Sequence, residues 1–140
     1  MKAGEKATYT VYLTDRIVKE RMIPYKSFEV NFEAVESGAF QYGNQTTTVW
    51  VDDSGHSHHV DTRYWVGTFD KCCRQILDDY YGRNIEKVER HDHYIGEIVQ
   101  HKGHECEVTN VWADDQGRHG ITIQPTGNYG FPIDIYDDQL

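Results

Sequence analysis

The chain has little with which to brace itself covalently or to cross a membrane. It holds three prolines and three cysteines, Cys72, Cys73 and Cys106, in 140 residues. An odd number of cysteines, two of them adjacent, does not make a disulfide framework, so free thiols in a reducing compartment are expected. No apolar run approaches the roughly 18 residues that a membrane span requires. The opening MKAGEKATYT has lysines but no apolar core, so no secretory signal is read there and a cytoplasmic protein is expected. Positive charge is also scarce, with 14 Lys and Arg against 23 Asp and Glu for a net charge of −9. Residues 1–26 hold six basic and three acidic side chains, whereas the other 114 hold eight basic and twenty acidic. A body of that sign repels phosphate backbones and is drawn to basic surfaces. Direct nucleic-acid binding is therefore not expected. Reaction motifs are missing too: there is no C-x-x-C, H-E-x-x-H, Gly-rich phosphate loop or G-x-S-x-G elbow. No catalytic residue and no cofactor are assigned.

What is present is aromatic. Ten tyrosines, three tryptophans and five phenylalanines supply much of the 38% apolar content, and side chains of that bulk argue for a packed core rather than disorder. The length suits one domain, 1–140, with a modest core.

The clearest periodicity lies in Thr68–Gly82. Phe69, Cys72, Cys73, Ile76, Leu77 and Tyr80 fall at i, i+3, i+4, i+7, i+8 and i+11, one stripe of a helix. Thr68 suits the N-cap, Asp70 the positive end, and Gly82 a left-handed stop. Asp70–Arg74 and Arg74–Asp78 are i,i+4 pairs on the opposite side. The rest reads as strands and turns. Tyr9, Val11 and Leu13 alternate with Thr8, Thr10 and Tyr12, and Thr14-Asp15-Arg16 follows as a turn. Ile17–Ile23 has no decisive period before Pro24. Phe28, Val30, Phe32 and Ala34 alternate with polar residues, predicting a strand with one wet face.

Gln45–Asp52 and His56–Thr62 predict a hairpin in which Val51 faces His56, Trp50 faces Ser57 and Val49 faces His58. Asn84–Arg90 is indecisive, and Tyr94–Gln100 reads as a strand. A turn at His101-Lys102-Gly103 leads into His104–Trp112, and Asp114-Asp115-Gln116-Gly117 turns the chain into Arg118–Gln124. The run Val49-Trp50-Val51-Asp52-Asp53-Ser54-Gly55 recurs as Val111-Trp112-Ala113-Asp114-Asp115-Gln116-Gly117. Convergent hairpin chemistry and an old duplication both account for the echo. A last short strand is read in Phe131–Tyr136. Together these elements predict an α+β fold, with an antiparallel, hairpin-rich sheet of six to nine strands packed on one main helix at about residues 69–81. Gly103, Glu107-Val108 and Gly120-Ile121-Thr122-Ile123 make the Ile95–Pro125 stretch resemble small SH3-like barrels, over under a quarter of the chain.

Three constellations bear on function. The histidines form two groups, His56, His58, His59 and Asp61, then His91, His93, His101, His104 and Cys106. An H-x-H pair on a strand puts both rings on one face, which suits chelation. The first group resembles the H-x-H-x-D-H of metallo-hydrolases, but Val60 stands where the Asp belongs and Asp61 where the last His belongs. Polar residues on wet hairpin faces explain both groups as well. The cysteines, two of them on the apolar stripe, read as core. The carboxylates form the third constellation. Glu105 and Glu107 alternate along one strand face roughly 6.8 Å apart, close to the phosphate spacing of a nucleic-acid strand. Asp52, Asp53, Asp114 and Asp115 sit at two hairpin tips, and Asp78 and Asp79 end the helix.

The expectation is a non-enzymatic, acidic protein-binding module. Its sharper form is a small phage- or mobile-element-type inhibitor that occupies the basic nucleic-acid-binding surface of a host nuclease, of the anti-restriction or anti-CRISPR type. Glu105, Glu107, Asp114, Asp115, Asp52, Asp53, Asp78, Asp79 and Trp50 would meet that basic partner. One alternative is a metal-dependent hydrolase drawing on His56, His58, His91, His93, His104 and Cys106. Another is a structural adaptor in a larger assembly.

Overall fold

The computed structural model describes residues 4–37, 46–51, 56–61, 68–127 and 130–140, with side chains described outside 35–37, 46–51 and 56–61. The chain divides into two compact units, Met1–Glu89 and Arg90–Leu140. The fold is mixed α+β, as the periodicities predict. Its nine strands, among the described residues, are shared between two antiparallel sheets rather than joined in one. No helix among the described residues is long and apolar enough to cross a membrane.

In the first unit, β1 (Lys6–Leu13), β2 (Ser27–Ser37), β3 (Thr46–Val51), β4 (His56–Asp61) and β5 (Ile85–Arg90) form a sheet ordered β4-β3-β2-β1-β5. The β1–β2 register sets Tyr9 opposite Val30 and Ala7 opposite Phe32. Because strand side chains alternate, Ala7, Tyr9, Val11 and Leu13 share a face with Val30, Phe32 and Ala34. The main helix, α2 (Phe69–Tyr81), covers that face with Phe69, Cys72, Cys73, Ile76 and Leu77, all buried in the same core. Tyr80, predicted on the stripe, is instead half exposed at its end. The Thr68 hydroxyl accepts from the Lys71 amide at 3.2 Å, satisfying one orphan donor of the first turn. Gly82 stops the helix with a φ of +49° and a ψ of −123°, so it takes a positive φ but not the left-handed helical well. The ion pair Asp70–Arg74 forms at 3.0 Å, and Gln75 donates to Asp79 at 2.9 Å.

Thr14-Asp15-Arg16, read as a turn, is the cap and first turn of a short helix, α1 (Asp15–Glu20). The Thr14 hydroxyl accepts from the Ile17 amide, and Ile17 is buried in the first core. Six residues carry too little period to announce a helix. The C-terminus of α1 closes as a Schellman motif: the Met22 amide donates to the Lys19 carbonyl and the Ile23 amide to the Val18 carbonyl. Val18 and Ile23, the apolar pair of that motif, both pack on the core.

The β3–β4 hairpin has the predicted register, Val51 opposite His56, Trp50 opposite Ser57 and Val49 opposite His58. Its tip, residues 52–55, lies outside the described residues.

The second unit holds β6 (Ile98–His101), β7 (His104–Ala113), β8 (His119–Pro125) and β9 (Ile133–Tyr136), ordered β6-β7-β8-β9. The strand expected at Tyr94–Gln100 starts only at Ile98, because Gly96 takes a φ of +94° in a turn closed from the Glu97 amide to the Tyr94 carbonyl. Lys102 and Gly103, both at positive φ, make the tight β6–β7 turn. Val99, Cys106, Val108, Val111, Ile121, Ile123 and Ile135 form the second core. Cys106 and Val108 are even-numbered and Val111 odd, and the bulge between Val108 and Asn110 performs that change of phase. On the opposite face Trp112 crosses Gly120, where a Cβ would collide with the indole. The sequence echo does not extend to the register: Ala113 pairs with His119 across five loop residues, whereas Val51 pairs with His56 across four.

Two substitutions test the cores. Leu77→Ala is expected to cost about 2–5 kcal/mol in a urea titration, as large-to-small core changes do. Arg74→Ala is expected to cost under about 1 kcal/mol, the usual worth of a partly exposed pair. In the second unit, Gly120→Ala is expected to cost about 1–3 kcal/mol through overpacking and to change the near-ultraviolet signal of Trp112.

Candidate functional site

The acidic character of the chain is concentrated in the second unit. Its 51 residues carry nine Asp and Glu against three Lys and Arg, a net of −6 out of −9. The strand pattern decides which of these carboxylates are available. Along β7, Cys106 and Val108 turn into the core, so Glu105 and Glu107 turn outward and both are exposed. Glu107 lies between Ile98 on β6 and Gln124 on β8, and Glu105 lies opposite Gln100. No ion pair engages Glu105 or Glu107 among the described residues. The Thr126 hydroxyl donates to Glu105 Oε2 at 2.8 Å and leaves its charge uncompensated. Ile98, beside Glu107, is 54% exposed. The result is a sheet face with two neighbouring carboxylates and an exposed apolar side chain on the edge strand beside Glu107.

Asp114, one of the carboxylates expected to meet a partner, holds its own turn. Its Oδ1 accepts from the amides of Gln116 and Arg118, both at 2.9 Å, and its Oδ2 accepts from the Tyr136 hydroxyl at 3.0 Å. The Arg118 amide first, and then the Tyr136 hydroxyl and Gln116 amide, hold its carboxyl below the usual carboxylate range against the opposing effect of desolvation. The Asp114 bond in turn raises the Tyr136 phenol. Arg118 stacks 3.7 Å from the centre of the Tyr136 ring and reaches Asp138 at 3.4 Å. Asp115 projects from the tip, exposed.

Asp78 and Asp79 are exposed in the last turn of α2, which has no basic residue to balance them. The helix dipole disfavours anions there, so these carboxylates are present at a local cost. Asp52 and Asp53 lie outside the described residues, and Trp50 is placed only by the β3 backbone.

The histidines are distributed differently from the H-x-H reading. His91 and His93 follow β5 in a bend rather than sitting on a strand, so their side chains do not share a face by alternation. His91 is buried and its ring stacks on His119, with centroids 4.2 Å apart. His93 Nδ1 lies 2.7 Å from Glu97 Oε2. His104 is exposed at the β6–β7 turn, while Cys106 is buried and its thiol contacts the His104 carbonyl, not the imidazole. His56 and His58 fall in β4, whose side chains are not described. Among the described residues, no three His, Cys, Asp or Glu side chains are arranged to hold a metal ion.

Asp137 completes the histidine group, a role its place in the sequence does not signal. Burial pushes its carboxyl above the ordinary value; Asp92 adds to the rise, while His93 and His119 oppose it. Its Oδ1 is buried without a hydrogen-bond partner. A carboxyl that holds its proton more tightly in the folded state costs stability above the ordinary carboxylate range and nothing below it. Asp137→Asn is therefore expected to raise the melting temperature at pH 7, with the gain shrinking to nothing as pH falls below about 4, near the unfolded-state value. An unchanged melting temperature at pH 7 would mean the carboxyl is solvated.

No family model, curated protein or solved structure matches the chain.

Proposed function

We propose that the chain is a non-enzymatic protein-binding module whose outer β7 face engages a basic protein. The observation that carries the reading is the pair Glu105 and Glu107, exposed and without an ion pair among the described residues, in a unit of net charge −6. Carboxylates left uncompensated on a sheet face add nothing to the core beneath them. They raise the encounter rate with a surface of opposite sign and select against phosphate-bearing ligands. Asp78 and Asp79, kept at the unfavourable end of a helix, extend the same tendency. In its sharper form the partner is a nucleic-acid-handling enzyme, and the module occupies its basic groove as a cytoplasmic inhibitor of a host nuclease. The strand rise supports that form, because Glu105 and Glu107 are separated by roughly the interval between successive phosphates.

Binding to the purified partner, recovered by capture from lysate, tests the reading. The association rate is expected to fall steeply as salt shortens the screening length from roughly 30 Å to 8 Å. Glu105→Lys with Glu107→Lys is expected to weaken binding at least tenfold, about 1.4 kcal/mol, with an unchanged melting temperature. Asp114→Lys is expected to loosen the turn as well, and so does not separate binding from folding. Lys19→Glu with Arg21→Glu is expected to leave partner affinity equal or slightly higher. A partner that binds this chain and its nucleic acid together, at a rate indifferent to salt, would rule out occupation of a basic groove.

A further inference from the structure

The turn between α1 and β2 carries a large apolar side chain that the core of its own unit does not use. Met22 occupies the position after the cap of α1 with a φ of +50°, where a glycine would sit without steric cost. The Schellman hydrogen bonds of the α1 C-terminus account for that φ, but the side chain they present is a methionine that is 88% exposed. An exposed methionine at a position that favours glycine adds nothing to the core beneath it, and its adaptable side chain suits a contact outside the fold. The surroundings of Met22 supply a chemistry. Lys19 and Arg21 flank it, exposed and without an ion pair among the described residues, and Arg16 is engaged only at 3.9 Å by Glu20. Lys26, by contrast, is held between Asp15 at 3.1 Å and Glu86 at 3.5 Å. Tyr25, 52% exposed, broadens the apolar tip, and Pro24 stiffens it before the strand. The tip is thus an unbranched, adaptable apolar side chain within a cationic collar.

The counterpart of that pattern is the outer face of the second sheet, where Ile98 is exposed beside Glu107 with Glu105 next to it. We infer that the Met22 tip of one molecule docks on the Ile98–Glu105–Glu107 face of a second copy, Met22 against Ile98 and Lys19 and Arg21 against the two carboxylates. The contact joins two different surfaces, so each copy keeps one tip and one face unfilled and the association is head-to-tail. An anionic lipid surface is the lesser occupant. One methionine and one tyrosine bury too little for stable anchoring. The inference rests on the β7 face being a docking surface, as in the function proposed above. A second copy would then compete with the basic partner for it.

Sedimentation equilibrium of the full chain at low salt, over micromolar to submillimolar concentration, is the test. The mean mass is expected to rise with concentration above that of the monomer and to return to it in 0.5 M salt. Met22→Gly relieves the backbone, so it is expected to keep or raise the melting temperature while losing the association by tenfold or more. Lys19→Glu with Arg21→Glu, and separately Glu105→Lys with Glu107→Lys, are each expected to be monomeric. Mixed together they are expected to associate again, since the intact tip of the second meets the intact face of the first. A wild-type chain that stays monomeric throughout, a Met22→Gly chain that associates like wild type, or a mixture that forms no complex would each overturn the inference. Met22-dependent binding to vesicles with 30% anionic lipid, in a monomeric chain, would overturn it in favour of a membrane. If self-association fails but Glu105→Lys with Glu107→Lys still abolishes binding to a basic protein, only the present inference falls. If the basic partner is insensitive to those two changes, the function proposed above falls.

Discussion

A single buried hydroxyl ties the helix of the first unit to its sheet. Tyr9, on β1, has no exposed surface, so its phenol must find a partner inside the protein. It donates to Asp70 Oδ1 at 2.7 Å, in the first turn of α2, and Arg74 holds the other oxygen of the same carboxylate at 3.0 Å. Once that bond is made, the stripe from Phe69 to Leu77 has one position over Tyr9, Val30 and Phe32. Phe32 meets the Tyr9 ring edge-on at 5.6 Å, which fixes the packing further. The Asp70–Arg74 pair is therefore less a surface salt bridge than the outer end of a core hydrogen bond. Arg74 also reaches the Val88 carbonyl of β5 at 3.4 Å.

The second unit depends on a different constraint, the alternation of β7 and its interruption by a bulge. Before the bulge the outward positions are Glu105 and Glu107; after it the outward side chain is Trp112, which needs the bare backbone of Gly120 beneath it. One strand thus supplies a carboxylate pair at one end and an aromatic cluster at the other. The Trp112 and Tyr136 rings are 5.3 Å apart, and Asp114 and Arg118 are both spent on Tyr136 and the turn. Two aspartates adjacent in sequence therefore have unlike roles. Asp114 builds the turn and Asp115 is left to solvent.

The fold was legible where periodicity is strong. The α2 stripe, the β1 and β2 alternation and the β3–β4 register follow from residue spacing, because burying one face admits one phase and one pairing. The site was legible in part: Glu105 and Glu107 follow from the alternation of β7 alone. The spacing of His91 and His93 carries no shared face, because H-x-H implies one only on a strand. His91 and His93 lie in a bend, and the neighbours they acquire, His119 and Asp137, come from more than 25 residues away.

By itself, then, the sequence determined the sign of the charge, the position of α2 and the inward residues of the regular strands. These are local quantities, set by residue type and by periods of 3.6 and 2. Only the tertiary structure decided which polar groups are used up and which are left over. Asp114 and Asp70 are consumed by the Tyr136 and Tyr9 hydroxyls, while Glu105, Glu107, Lys19 and Arg21 are left without an ion pair among the described residues. The separation of the strands into two sheets and the phase change in β7 belong to the same class. Each arises from pairings between residues distant in the chain, and a hydrogen-bond partner 22 or 61 residues away leaves no mark in local composition.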